Sequence, residues 1–126
     1  MKKDGQTHVL IIDDNEDILS MLQAMLEHTG YKVSTLDKTF ELLSVVNNLQ
    51  PEIILMDKLL SGYDGCEFCK KLKANPDLKQ IPVIMISAHP QARVECLEAG
   101  ADFFIEKPFE MDHLLQTLAK AANTGK

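Results

Sequence analysis

Five short apolar runs recur along the chain, at His8–Ile12, Tyr31–Thr35, Glu52–Met56, Ile81–Ile86 and Asp102–Ile105. Three of them hold unbroken aliphatic stretches: Val9-Leu10-Ile11-Ile12, Ile53-Ile54-Leu55-Met56 and Val83-Ile84-Met85-Ile86. A strand with one wet face alternates apolar with polar residues, so continuous runs predict parallel strands covered on both faces. Between the runs, apolar residues return at helical spacing. Ile18, Leu22, Met25 and Leu26 predict a first helix capped by Asn15, with Glu16 and Asp17 in its first turn and Gly30 just past its end. A second is predicted from Lys38, capped by Asp37, with Phe40, Leu43 and Val46 inward and Pro51 closing the connection. The third, Asp64 to Ala74, stops ahead of Pro76, because a residue before proline disfavours helix. The fourth spans Pro90 to Ala99 and ends at Gly100. The fifth, Glu110 to Ala122, sets Met111, Leu114, Leu115, Leu118 and Ala122 on one face, and Asn123–Lys126 is expected to fray.

Strand and helix alternate five times, which predicts an α/β domain with a parallel sheet and right-handed crossovers. No repeat, low-complexity tract or linker interrupts the pattern, so residues 1–126 read as one domain with its core at about 8–122. A net charge of −6 and a pI near 5.1 argue against a nucleic-acid backbone as the partner, which needs clustered Lys and Arg. No apolar run approaches the roughly 18 residues of a membrane span, and no signal-peptide core follows Met1-Lys2-Lys3. Three cysteines (Cys66, Cys69, Cys96) are too few for a disulfide scaffold and suit a reducing cytoplasm.

In an open parallel sheet, ligands bind beyond the carboxyl ends of the strands. The residues reaching that edge are Asp13 and Asp14 after the first run, Asp57 after the third, Ser87 after the fourth, and Glu106 and Lys107 after the fifth. Alone, an Asp-Asp pair is ordinarily a loop and helix cap, and a lone Asp, Ser or Lys is solvated surface. Their joint arrival from four strands points instead to a phosphoryl or metal site. Crowded carboxylates repel, and a hard divalent ion resolves the repulsion; few protein ligands with room for water suit Mg²⁺ better than Ca²⁺. One carboxylate can then attack phosphorus, and Asp57, from the central part of the chain order, is the best nucleophile. Asp13 and Asp14 are left to hold the metal, while Lys107 and Ser87 face the transferring oxygens.

The ordered motifs Val9-Leu-Ile-Ile-Asp-Asp-Asn15, Ile54-Leu-Met-Asp57, Asp64-Gly65, Ile84-Met-Ile-Ser-Ala88 and Gly100-Ala-Asp-Phe-Phe-Ile-Glu-Lys-Pro-Phe109 resemble the response-regulator receiver family over nearly the whole chain. The resemblance implies a (βα)5 doubly wound, flavodoxin-like sheet of order 2-1-3-4-5. It implies Asp57 as phosphoacceptor and Asp13, Asp14, Asp57 and the backbone carbonyl of Leu59 as Mg²⁺ ligands. Lys107 becomes the phosphate-contacting lysine, Ser87 the switch hydroxyl and Phe104 the switch aromatic, which turns inward when Ser87 moves toward phosphate; Ala88 leaves it room. The Lys107–Pro108 bond is expected to be cis. The donor would be a phosphohistidine on a sensor histidine kinase or phosphotransfer protein. The face of the fourth helix, fifth strand and fifth helix would control a downstream protein, with no nucleic acid bound directly. Such a chain is a signalling domain that catalyses its own phosphorylation and dephosphorylation, not an enzyme acting on other substrates. Leu59 and His89 would flank the approach of water to phosphorus and prolong the phosphorylated state.

The chain departs from the family pattern after Asp57, where Leu60-Ser61 replaces Met-Pro and removes a proline's rigidity, and at Phe104, where a Tyr would add a hydroxyl. Two rivals outside signalling lack their own groups. A haloacid-dehalogenase-type phosphatase wants a second Asp two residues after the nucleophile, where this chain has Leu59, and a flavin carrier wants a Gly/Ser/Thr-rich phosphate loop after the first strand. Within the family, the alternative is a receiver that docks without phosphorylation. Cys66-Glu-Phe-Cys69 lies inside the third helix and reads as packing, since structural zinc takes four ligands. His8, His28 and His113 read as solvated, and Lys70-Lys71-Leu72-Lys73 as a wet helix face.

Overall fold

The computed structural model describes residues 6–37, 41–60 and 62–124. Five strands, β1 (His8–Ile12), β2 (Lys32–Leu36), β3 (Ile53–Asp57), β4 (Val83–Ser87) and β5 (Phe103–Glu106), form one parallel sheet in the order 2-1-3-4-5. Helices α1 (Glu16–His28), α2 (Leu42–Leu49), α3 (Gly65–Ala74), α4 (Ala92–Glu98) and α5 (Met111–Thr124) connect and cover it. The parallel α/β sheet expected from the alternation, and the doubly wound order implied by the family resemblance, are the ones observed.

The continuous aliphatic runs sort their side chains by parity, since successive residues of a strand face opposite sides. Val9, Ile11, Ile53, Leu55, Ile84, Ile86 and Ile105 pack against Leu19, Leu22 and Leu26 of α1 and Leu114, Leu118 and Ala121 of α5. Leu10, Ile12, Ile54, Met56, Val83, Met85 and Phe104 pack under α2, α3 and α4. Helix ends follow the local sequence. Asn15 Oδ1 caps α1 by accepting from the N–H groups of Asp17 and Ile18. Gly30 lets α1 stop, because at φ +102° it brings its own N–H to the Glu27 carbonyl and the Tyr31 N–H to that of Leu26.

Several boundaries differ from expectation. β2, β3, β4 and β5 each run one residue beyond their apolar stretches, and past β3 and β5 the main-chain bonding continues further. The Lys58 N–H donates to the Ile86 carbonyl and the Lys107 N–H to that of Ser87. α2 begins at Leu42 with Leu42 and Val46 buried, and Leu43 is only half-buried. Its first residue follows Glu41 at φ 64°, with no side-chain cap, and Gln50 at φ 49° closes its other end. The proposed cap Asp37 therefore does not cap the helix described, while the predicted start at Lys38 and inward Phe40 lie outside the described residues. α4 is shorter than predicted, and α5 continues through Asn123 to Thr124, with Ala121 rather than Ala122 fully buried. In α1, Leu19 joins Leu22 and Leu26 in the core, whereas Met25, expected to face inward, is exposed.

After Asp57 the chain forms a two-residue antiparallel hairpin, Leu59–Leu60 against Tyr63–Asp64, with Ser61 outside the described residues. Gly65 follows, and its N–H donates to the Lys58 carbonyl at 2.6 Å. A Cβ built there would lie 2.8 Å from the Asp57 carbonyl oxygen, 3.1 Å from Met85 Cε and 3.2 Å from the Lys58 carbonyl oxygen. Two of those atoms are backbone and cannot yield, so α3 approaches β3 this closely only with glycine. Gly65→Ala is expected to lower unfolding free energy by about 1–3 kcal/mol in a urea titration; an unchanged midpoint would count against the close approach.

Candidate functional site

The sheet's carboxyl edge collects the residues singled out in the sequence. Asp57 is the last residue of β3, paired to Ile86 of β4, and its Oδ1 accepts from the Leu59 N–H at 3.0 Å. Its other oxygen, Oδ2, accepts from Lys107 Nζ at 2.7 Å, an ion pair across 50 residues of sequence. Lys107 is placed by the ladder bond to Ser87 and precedes Pro108 through a cis bond. Asp13 follows β1, next to β3 in the sheet; its N–H donates to the Leu36 carbonyl and its Oδ1 accepts from the Asn15 N–H at 2.9 Å. Asp14 sits beside it, exposed. Ser87 is 2% exposed, and its Oγ accepts from the His89 N–H at 3.1 Å.

The electrostatics are lopsided. Asp13 is 5% exposed, and burial pushes its carboxyl above the usual range. The Asn15 N–H and the Lys107 ammonium oppose the rise, while the charges of Asp57 and Asp14 add to it. Negative charge therefore exceeds what one ammonium balances. An all-oxygen donor set short of positive charge fits a hard divalent cation.

Phe104 lies inside the core at 9% exposure, next to Met85 in the register, with the Arg93 guanidinium 5.8 Å from its ring centroid. In this structure the aromatic already occupies the inward position. Leu59 is 55% exposed and, with His89, lines a cleft of about 200 Å³ that also touches Lys58, Gln91, Ala92 and Glu95.

Two features escaped sequence reasoning. A cleft of about 610 Å³ runs from Asp13 and Lys107 along α1 to the start of α5, lined by Met21, Met25, Phe109 and Met111 among others. The exposed methionines of α1 were its signal, hidden because Met25 fits the helical stripe. The second is Lys58, only 9% exposed, whose Nζ lies 3.2 Å from Asp64 Oδ2 and 3.3 Å from Glu95 Oε1. Asp64, Cys66 and Glu95 bring ligand-type atoms within 4.8 Å of one another, but this ammonium already sits between the two carboxylates.

The features set aside mostly behave as packing. Cys66 and Cys69 are buried as expected, and Cys66 Sγ lies 3.6 Å from Cys96 Sγ of α4. Burial raises all three thiols, Cys69 to about 11, which leaves them poor nucleophiles. Two readings need correction. His8 is half-buried and joins β1 to β2, its Nε2 2.8 Å from Ser34 Oγ. Lys73 is no wet residue: its Nζ donates to the carbonyls of Lys79 and Ile81 and to Asp102, tying α3 to the starts of β4 and β5.

Comparison with known proteins identifies the family and the fold. The family model "Response regulator receiver domain" matches residues 9–119. The phosphate regulon transcriptional regulatory protein PhoB of Pseudomonas aeruginosa is 34% identical over 116 residues, covering 90% of this chain and 50% of that protein. The transcriptional regulatory protein CseB of Streptomyces coelicolor is 36% identical over 107 residues, covering 83% of this chain and 44% of its own. The chain thus spans about half the length of the curated relatives it matches. Among solved structures, the chemotaxis protein CheY4 of Vibrio cholerae superposes with a TM-score of 0.84 at 28% identity, covering 93% of this chain and 99% of that one. The receiver domain of sensor histidine kinase PA1611 from Pseudomonas aeruginosa, with a magnesium ion in its active-site cleft, gives 0.85 at 25% identity, covering 94% and 99%. No described helix is long and apolar enough to cross a membrane. With fold, motif order and family model in agreement, the chain belongs to the response-regulator receiver family and is a receiver domain of two-component signalling.

Proposed function

We propose that Asp57 accepts a phosphoryl group from a phosphohistidine on a sensor histidine kinase or phosphotransfer protein in the cytoplasm, and that this changes how the α4–β5–α5 face engages a downstream protein. The observation that carries the reading is the 2.7 Å contact of Lys107 Nζ with Asp57 Oδ2, beside a second carboxylate, Asp13, held above its usual pKa by burial. A carboxylate oxygen of Asp57 forms a bond to phosphorus as the phosphorus–nitrogen bond breaks, and the imidazole leaves with the bonding pair and takes a proton from solvent. Lys107 is close enough to follow the developing charge from the carboxylate to the phosphoryl oxygens. Ser87 Oγ, which accepts one hydrogen bond, keeps its own proton to donate to a phosphoryl oxygen.

Asp13, Asp14, Asp57 and the Leu59 carbonyl would hold Mg²⁺, which when bound neutralises charge on the transferring oxygens. The magnesium in the related PA1611 receiver supports that assignment. The domain thus promotes its own phosphorylation and hydrolysis and turns over no separate substrate. Purified protein incubated with acetyl phosphate and Mg²⁺ should gain the mass of one phosphoryl group, removable by hydroxylamine; no gain would overturn the reading.

Lifetime depends on water reaching phosphorus. The Leu59 side chain and His89 line one cleft beside the end of β3, which supports an apolar shield at that position. Leu59→Asn is expected to speed autodephosphorylation several-fold, followed as loss of the phosphoryl mass with time; an unchanged rate would remove Leu59 as a shield.

A further inference from the structure

We infer that Lys58 is a positioning residue that couples the phosphoacceptor end of β3 to α4, through one buried ammonium shared by Asp64 and Glu95. The inference rests on Asp57 being the phosphoacceptor. Asp57 ends β3 and Lys58 is the bend that follows it, its N–H still donating to the Ile86 carbonyl at 2.8 Å. Their side chains go separate ways. Asp57 goes to Lys107, whereas Lys58 goes to the side of α3 and α4.

The Lys58 backbone has little freedom. Its N–H is held by β4, and its carbonyl accepts from Gly65 at 2.6 Å. The ammonium is held as firmly. Asp64 is the N-cap of α3, with Oδ1 accepting from the Cys66 N–H at 2.9 Å and Oδ2 accepting from Lys58 Nζ. Glu95 lies in the middle of α4. Burial alone would lower the Lys58 pKa, but the two carboxylates outweigh it and keep the side chain charged. Burial likewise opposes ionisation of Asp64, and the Cys66 N–H together with Lys58 hold its carboxyl below the usual range. Lys58 and Asp64 thus each favour the charged form of the other. An ammonium this buried, with two carboxylate partners, costs more to break than an exposed pair.

α4 has few other anchors on this side. It is a seven-residue helix without a side-chain cap, seated by Ala92, Cys96 and the contact between Arg93 and Phe104. Cys66 Sγ against Cys96 Sγ joins the same two helices beside the ion pairs. A shift of the β3 end when phosphate binds Asp57 must move the Lys58 ammonium. That moves Glu95 with it or breaks the pair, so α4 responds in either case. Coupling between sites is reciprocal, so holding α4 also biases the phosphoacceptor loop.

Glu95→Gln tests this by cutting only the α4 arm, since Asp64 still holds Lys58. Hydrogen exchange is read over residues 92–98 of the whole chain, with Mg²⁺ alone and with beryllofluoride added as a phosphoryl mimic. Bound fluoride is monitored by its own NMR signal. In the wild type, beryllofluoride should alter exchange in α4. Glu95→Gln should bind beryllofluoride, lose that response, and exchange roughly two- to five-fold faster in α4 without it, the size expected for one partly exposed ion pair. Lys58→Met should reproduce the loss, combining the two should add nothing further, and Lys58→Arg should restore the response. A full α4 response in Glu95→Gln, with bound fluoride seen, would overturn the coupling and leave the phosphoacceptor reading intact. No bound fluoride in the wild type would overturn that reading, and the coupling with it.

Discussion

Asp57→Asn is expected to reduce phosphoryl uptake from acetyl phosphate to background while the fold survives. The amide oxygen carries no full charge and cannot displace a leaving group from phosphorus, so the nucleophile is lost outright. The structural cost is small because the effects oppose. The amide keeps an acceptor for the Leu59 N–H and loses the 2.7 Å ion pair with Lys107, but it also relieves repulsion of Asp13. Unfolding free energy should move by no more than about 1 kcal/mol. Intact mass after incubation with acetyl phosphate, paired with a urea titration, reads both quantities. Uptake at the wild-type rate would place the acceptor elsewhere.

Asp13→Asn should separate stability from function in the opposite direction. The folded protein holds the Asp13 carboxyl above its unfolded pKa, so the folded state binds that proton more tightly. Ionised Asp13 therefore costs stability at neutral pH, and the cost fades as pH falls through the raised folded value. Asn keeps the acceptor for the Asn15 N–H and removes the buried charge. A gain of roughly 0.5–2 kcal/mol at pH 7 is expected, shrinking as the pH is lowered. Mg²⁺-dependent phosphorylation should fall by at least the roughly 10–100-fold that weaker perturbations of metal sites cost. Urea titrations across pH and an uptake assay over a Mg²⁺ series check the two halves. A variant less stable than wild type at neutral pH would contradict the assigned burial cost.

Much of this is legible in the sequence. The aliphatic runs announced strands covered on both sides, and the sheet order followed from the family resemblance. Asp13, Asp57, Ser87 and Lys107 were named because each follows an apolar run, and the ladder gathers them at one edge. Boundaries were less legible, since hydrogen bonding outlasts side-chain hydrophobicity; Asp57 and Ser87 end strands instead of following them. Lys58 and Lys73 were hidden for a different reason. Sequence alone marks lysine as a wet residue, and only tertiary structure brings Asp64 and Glu95 around one ammonium and two carbonyls and Asp102 around the other. Met25 misled because helical periodicity cannot tell which edge of an apolar stripe faces a cleft.

The two ends of α2 carry a separate consequence. Glu41 and Gln50 both hold left-handed backbone without being glycine, a conformation that costs of order 1 kcal/mol or more at each position. Eight residues between two such joints, with no side-chain cap at the N-terminal end, make this a helix that unwinds at low cost. Transient unravelling there would spare the rim that carries Asp57, so a protease could nick the chain near α2 before the signalling chemistry is disturbed.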